Sequence, residues 1–122
     1  MTRYTKDHEW VRLAGNLATI AIPKYAADQL GDVVYAETPA AGATFAKGAD
    51  MAVVESAKAA SDVYAPIAGT VVEANGALAT QPDLINQSPE GDGWFVKLKV
   101  ADKSDLDALM DEAAYADYVK GL

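Results

Sequence analysis

Apolar and polar residues alternate over short stretches along the first two-thirds of this 122-residue chain, the period-two pattern of half-buried strands. Trp10, Val11 and Leu13 fall in a first strand, Gly15-Asn16 marks a turn, and "LATIAI" from Leu17 to Ile22 makes a second. "PKYAADQLG" reads as a short helix. Pro23 suits the first turn, Tyr25, Ala26 and Leu30 are apolar at helical spacing, and Gly31 suits the stop. "DVVYAE" from Asp32 to Glu37 returns to strand, and Thr44-Phe45 is a shorter one before a turn at Lys47-Gly48. "MAVVES" and "SDVYAP" flank "AKAA" as a hairpin with Lys58 at its tip, and Gly69 to Asn75 is a further strand. "GALATQPDLINQSPEGDG" is turn-rich and holds one short helical turn. From Trp94 to Val100 the alternation predicts Trp94, Val96, Leu98 and Val100 on one face, with Phe95, Lys97 and Lys99 on the other.

The end of the chain changes period. Ser104 suits a helix cap with Asp107 in the capping-box relation, Leu106, Leu109, Met110 and Ala113 follow helical spacing, and a second helical segment includes Tyr115 to Lys120. No linker divides the chain. One domain over 1–122 is expected, with the hairpin region about 51–74 and C-terminal helices about 104–120. A weak internal symmetry surrounds the hairpin: Gly48 and Gly69 each precede an apolar run, which places Lys58 far from both glycine turns.

Composition narrows the function. A hydrophobic content of 51% predicts a folded domain, and a formal net charge of −8 argues against a grip on nucleic acid or anionic membranes. No cysteine is present, so disulfides, thiolate nucleophiles and zinc–thiolate sites are excluded. The start "MTRYTKDHEW" has no apolar run, which predicts no signal peptide and a cytoplasmic chain. Asn86-Gln87-Ser88 has the form of a glycosylation sequon but carries no weight without a secretion signal.

Enzyme readings find little support. The single histidine, His8, adjoins Glu9, but neighbours on a strand point to opposite faces, so the pair is not expected to act as base and orienter; His8 reads as a strand-edge residue. "GDG" at Gly91 to Gly93 lacks the helix of a phosphate loop, and no calcium-loop spacing of acids occurs. Tyr35, Tyr64 and Trp94 sit in strand patterns, where core packing is the expected role over an aromatic binding face. Lys58 stands apart. From Gly48 to Val96 it is the one basic residue, among seven acids, and Ala57, Ala59 and Ala60 around it are small. An exposed lysine is a poor catalyst alone but a good attachment point, with a four-carbon stem that adds reach. On spacing alone, a plain surface turn and a displayed, modified lysine both remain open.

"VVESAKAASDVYAPIAGTVVEAN" resembles the lipoyl-attachment segment of the glycine cleavage system H protein family, and "YTKDHEWVR", "YAADQLGDVVYAE", "LINQSPEGDGWFVKLKV" and the C-terminal helices correspond as well. The lack of methionines beside Lys58 is unlike a biotin carrier, and Glu55-Ser56-Ala57-Lys58-Ala59 is unlike the Asp-Lys-Ala of oxoacid dehydrogenase lipoyl domains. The resemblance implies a mainly β fold, a barrel-sandwich hybrid of antiparallel strands with short peripheral helices and a C-terminal helical segment. It implies a non-catalytic carrier with lipoic acid on Lys58. The carrier would take an aminomethyl group from the pyridoxal-phosphate enzyme glycine decarboxylase to a tetrahydrofolate-dependent aminomethyltransferase, and electrons to dihydrolipoyl dehydrogenase. A lipoate-attaching enzyme would recognise Glu55, Ala57 and Ala59. Glu9, and less directly Asp62, are candidates for a carboxylate in an arm cleft, where it would favour the cationic cargo amine and where exclusion of water would suppress loss of cargo by hydrolysis. The family has Thr-Asp where this chain has Pro23-Lys24, which removes a capping hydroxyl and reverses a charge at the helix start. Two alternatives stay open: an H-like protein that relays lipoyl groups to other complexes, and a β-rich interaction domain whose lysine is never modified.

Overall fold

The computed structural model describes residues 2–122. Among these residues, nine strands form two antiparallel sheets. The chain opens with β1 (Thr2–Tyr4), which precedes the first strand expected from sequence. It pairs with β2 (Trp10–Ala14), and β2 turns at Gly15 into β3 (Leu17–Ala21). Helix α1 (Lys24–Leu30) leads to β4 (Val33–Glu37) and β5 (Thr44–Phe45). The hairpin is β6 (Asp50–Ser56) and β7 (Ala60–Tyr64), followed by β8 (Gly69–Ala74). Two one-turn helices, α2 (Ala77–Thr80) and α3 (Leu84–Gln87), stand where one helical turn was expected. Strand β9 (Val96–Val100), a 3-10 helix (Lys103–Ala108) and α4 (Glu112–Lys120) complete the chain.

The larger sheet runs β1-β2-β3-β9-β8-β5 and the smaller β4-β6-β7. Their inner faces share one apolar cluster that includes Trp10, Ile20, Val54, Val63, Ile67, Phe95 and Leu98. The two apolar runs that follow Gly48 and Gly69 therefore enter different sheets, and the glycines have different duties. Gly48 has φ +86 and turns the chain, whereas Gly69 lets β8 approach β9 so closely that a Cβ there would lie 2.5 Å from the Lys99 carbonyl oxygen.

Several local expectations are corrected. Phe95 is fully buried, and its N–H donates to Ile20 O (2.9 Å), because the strict alternation begins only at Val96. Trp94 is half-buried, with Lys97 Nζ 4.9 Å above its ring. Tyr35 is 46% exposed: a bulge in the pairing of β4 with β6 turns both Val34 and Tyr35 to solvent. At the C-terminus the cap is Asp102, whose carboxylate accepts from the Ser104 N–H (2.9 Å) and hydroxyl (2.7 Å), so Ser104 is capped and does not cap. The helical pattern from Leu106 to Ala113 breaks in two at Leu109-Met110, where Met110 exchanges both backbone hydrogen bonds with Tyr4 (2.8 and 2.9 Å), and Ala113 is exposed.

Pro23 occupies the N-cap of α1 with no side-chain cap, as its lack of a hydroxyl requires. Lys24, the reversed charge, reaches Asp28 one turn on at 2.7 Å. That pair is exposed and worth only a few tenths of a kcal/mol, about 0.3–0.5. Packing of Ala27 into the core and of α1 against α3 holds the helix instead.

The burial of Phe95 ahead of β9 is testable by chemical denaturation. Phe95→Ala should cost about 3–5 kcal/mol, as for a fully buried aromatic, while Trp94→Ala costs clearly less. A larger loss for Trp94 than for Phe95 would restore the simple alternation.

Candidate functional site

The tip of the β6–β7 hairpin is a two-residue connection, Ala57-Lys58, between Ser56 and Ala59. Such loops usually need positive φ at their central residues. Neither Ala57 nor Lys58 has it. The turn is closed by a side chain instead. Ser56 N–H donates to Ala59 O (2.7 Å), and the Ser56 hydroxyl oxygen accepts from the N–H groups of Lys58 (3.3 Å) and Ala59 (3.1 Å). Ala57 N–H donates across to Asp32 O (3.3 Å) in the segment that joins α1 to β4. Ser56 is a functional position that sequence reasoning missed; a serine two residues before a displayed residue is the signal that would have found it.

Lys58 is exposed and takes part in neither of the ion pairs found among the described residues. Its stem lies on Gly31: a methyl group added there would stand 3.1 Å from Lys58 Cε and 3.7 Å from Nζ. Gly31 closes α1 with φ +78 and ψ −156, a region open essentially to glycine alone.

Beside this stem opens a cleft of about 260 Å³, walled by Tyr25, Ala26 and Leu30 of α1, by Val54 and Val63 of the hairpin, and by the His8-Glu9 loop. The apolar residues of α1 thus line a cavity as well as the core. The volume lies near the lower end of ligand sites, on the order of 300–1,000 Å³, which suits a thin chain better than a bulky ligand. Glu9 and Asp62 both line it. They differ in kind. Asp62 is exposed at the rim, opposite Val53 on β6. Glu9 is 2% exposed, and its Oε1 accepts from the Thr5 hydroxyl at 2.6 Å. Burial pushes the Glu9 carboxyl up from 4.5 to about 7, against hydrogen bonds from Thr5 and the Tyr64 backbone that pull it down. A second hollow of about 230 Å³ is also lined by Glu9, together with its partners Thr5 and Tyr64 and with Tyr4, Lys47 and Met110. It does not reach α1 or the hairpin tip.

His8 is not a strand residue. It sits in the turn Thr5–Glu9 with φ +66, a conformation that costs a non-glycine residue about 1–2 kcal/mol. Its Nδ1 is hydrogen-bonded to the Tyr115 hydroxyl at 2.8 Å, and its ring packs against Tyr25, Tyr115 and Tyr118. Burial holds the imidazole below its ordinary value despite the nearby Asp7. Tyr115 in turn stacks on Tyr4 with centroids 4.5 Å apart, so α4 braces the loop that carries Glu9. Glu55, three residues before Lys58, pairs with Tyr35 and Ala60 on the outer face; Ala57 and Ala59 are exposed at the tip. No cluster of metal-ligating side chains occurs among the described residues, and no helix is long and apolar enough to cross a membrane.

Fold and site together define a small antiparallel β domain that displays a lysine beside a cleft with a buried acid. Comparison with known proteins places it further. A model of the family described as glycine cleavage H-protein matches residues 2–121. The chain is similar to the glycine cleavage system H proteins of Caulobacter vibrioides (56% identical, covering 96% of this chain and 97% of that one) and Beijerinckia indica (53%, covering 100% and 98%). The crystal structure of a glycine cleavage system H protein from Mycobacterium marinum superposes with a TM-score of 0.89 at 32% identity, over 99% of this chain and 97% of the other. The chain belongs to the glycine cleavage H-protein family.

The raised Glu9 value sets a pH dependence. Below about 4.5 the carboxyl is protonated in folded and unfolded chains alike and costs nothing. As pH rises the unfolded chain ionises first, so the folded state loses stability up to about 7 and no more beyond it. Glu9→Gln should therefore be more stable than wild type at pH 8, by up to about 3 kcal/mol, with the gain fading toward pH 4. Denaturation series across that range check it; a pH-independent difference would refute a buried, neutral Glu9.

Proposed function

We propose that this chain is the lipoylated carrier of the glycine cleavage system. It takes an aminomethyl group from glycine decarboxylase to the tetrahydrofolate-dependent aminomethyltransferase and electrons to dihydrolipoyl dehydrogenase, with Lys58 as the attachment point. The observation that carries this reading is the position of the hairpin's one lysine: exposed at the tip, stem over Gly31, beside a cleft whose wall holds a buried carboxyl. The residues present fit the group. The Lys58 amine is open to an attaching enzyme and able to form an amide with the lipoate carboxyl, and the small Ala57 and Ala59 leave room for that enzyme. Once attached, the lipoyl group supplies the sulfur that accepts and releases the aminomethyl cargo.

The chain's own part is shelter and charge. Ile22, Tyr25, Leu30, Val54 and Val63 give the cleft an apolar lining that excludes water from the cargo. Glu9 holds a proton near neutral pH while the cleft is free. A cationic cargo amine beside it favours the carboxylate and makes a charge-assisted hydrogen bond. The Thr5 hydroxyl and the Tyr64 backbone hold that carboxyl in place, in a turn that the His8–Tyr115 hydrogen bond braces. Asp62 at the rim adds negative potential, and Glu55 on the outer face is the recognition point for the attaching enzyme.

Intact-mass measurement on chain from lipoylating cells should show one lipoyl increment in wild type and none in Lys58→Arg; an unmodified wild-type chain would favour an interaction domain. Glycine–bicarbonate exchange with the partner enzymes separates glycine cleavage from lipoyl relay, since a relay protein would not sustain it. Glu55→Ala should slow lipoylation without changing the unfolding midpoint, and a normal rate removes Glu55 from recognition. Glu9→Ala should leave lipoylation intact and shorten the half-life of the loaded carrier about tenfold, the worth of one hydrogen bond to a charged group. A half-life equal to wild type would sink the role of Glu9.

A further inference from the structure

The reach of Lys58 into the cleft depends on the segment beneath it, Gly31-Asp32-Val33. This short bridge joins α1, whose Leu30 lines the cleft, to β4, which pairs with β6. It contacts the hairpin tip twice: the Lys58 stem lies on Gly31, and Asp32 O accepts the Ala57 N–H at 3.3 Å. The bridge itself is gripped from the far side by one side chain. Asn86, on α3, donates from Nδ2 to Gly31 O at 2.7 Å and accepts at Oδ1 from the Val33 N–H at 2.8 Å. Both ends of the amide are thus committed to backbone groups two residues apart, and the polarity of those groups fixes which end is nitrogen.

We propose that Gly31 and Asn86 form a saddle that sets the path of the Lys58 arm from the hairpin tip into the cleft, with Asn86 as a positioning residue. The inference rests on the carrier reading above. Gly31 supplies the seat because it lacks a Cβ: a Cβ there would meet the lysine stem at 3.1 Å and push its present path outward by a few tenths of an ångström. The backbone needed for that seat, φ +78 with ψ −156, is one that other residues resist, so something must hold it. Asn86 does so by pinning the peptide groups on both sides of Asp32. A charged donor or acceptor would not serve. A carboxylate at position 86 would accept from Val33 but repel Gly31 O, which opens the grip at one end while keeping the shape of the side chain.

Asn86→Asp is accordingly the cleaner variant, since Gly31→Ala adds backbone strain to the steric effect and risks the fold. Ile85→Val serves as the control: Ile85 is fully buried on the same helix, and its loss of a methyl weakens the core without touching the bridge. Two readouts decide. In the unmodified chain, amide hydrogen exchange of Ala57 should accelerate about tenfold or more in Asn86→Asp and no more than about twofold in the control, relative to protection elsewhere in the sheet. In the lipoylated, loaded carrier, the half-life of the cargo should fall several-fold in Asn86→Asp while the control stays near wild type. Exchange at Ala57 within twofold of wild type overturns the saddle, and so does an equal loss of cargo protection in the control. The exchange measurement is made without the lipoyl group, so a wild-type chain that fails to be lipoylated would refute the carrier reading and still leave the clasp to be judged by exchange.

Discussion

Burying the Glu9 carboxyl costs solvation that only local hydrogen bonds return, and the surrounding structure is arranged to make that trade hold. The Thr5 hydroxyl serves twice, as donor to Oε1 and as acceptor for the Glu9 N–H (3.1 Å), while Thr5 N–H donates to Glu9 O (2.9 Å). This closed five-residue turn requires a left-handed residue at its corner, and His8 takes that position at a cost. The cost is offset from outside the turn. Tyr115 on α4 bonds to the imidazole and stacks on Tyr4, and Tyr4 is tied by two backbone bonds to Met110. The C-terminal helix, which adds no strand to either sheet, thereby acts on the acid in the cleft.

The hairpin tip solves a different problem. A displayed lysine needs a stiff base, since a floppy tip would give up the positional accuracy that a cleft-bound arm requires. Glycine is the usual way to make a tight hairpin turn, but it would soften the tip in the unfolded and folded chain alike. Here alanine and lysine make the turn in ordinary backbone conformations, with Ser56 and Asp32 O taking the orphaned N–H groups. The glycine is displaced to position 31, under the lysine stem, where its missing side chain rather than its flexibility is used.

Most of the strands were legible because alternation and turn residues report one-sided burial directly. "MAVVES" and "SDVYAP" became β6 and β7, and "LATIAI" became β3, within a residue or two. What failed did so for tertiary reasons. Thr2–Tyr4 has three residues of strand and no apolar periodicity; it is a strand because Trp10–Arg12 lies beside it. Phe95 was misplaced because it enters the core before the ladder of β9 begins. Ser104 and Asp107 matched a capping box that Asp102 preempts two residues earlier. At the site, Lys58 stood out by isolation, and Glu9 by resemblance; the burial that distinguishes Glu9 from Asp62 is a property of the turn around it. Ser56 acts through a local turn whose signal was not used, whereas Gly31, under Lys58, and Asn86, 55 residues from Gly31, act through contacts distant in sequence, which no local pattern reports.

Electrostatics joins the two halves of the site. The hairpin from Asp50 to Tyr64 carries three acids, Asp50, Glu55 and Asp62, and one cation, Lys58. If Lys58 is the attachment point, as proposed, its acylation would convert the ammonium to a neutral amide, and the hairpin would go from a net charge of −2 to −3. The modification would thus deepen the negative potential around the cleft at the same step that supplies the arm. A cargo with a cationic amine would then meet Asp62 at the rim and the buried, ionisable Glu9 in the wall, with no competing ammonium on the hairpin. An unmodified lysine at the same place would repel that amine. The absence of any other base from Gly48 to Val96 would therefore have a physical consequence beyond leaving one amine to modify: the only cationic charge of this stretch would be removed by the modification itself.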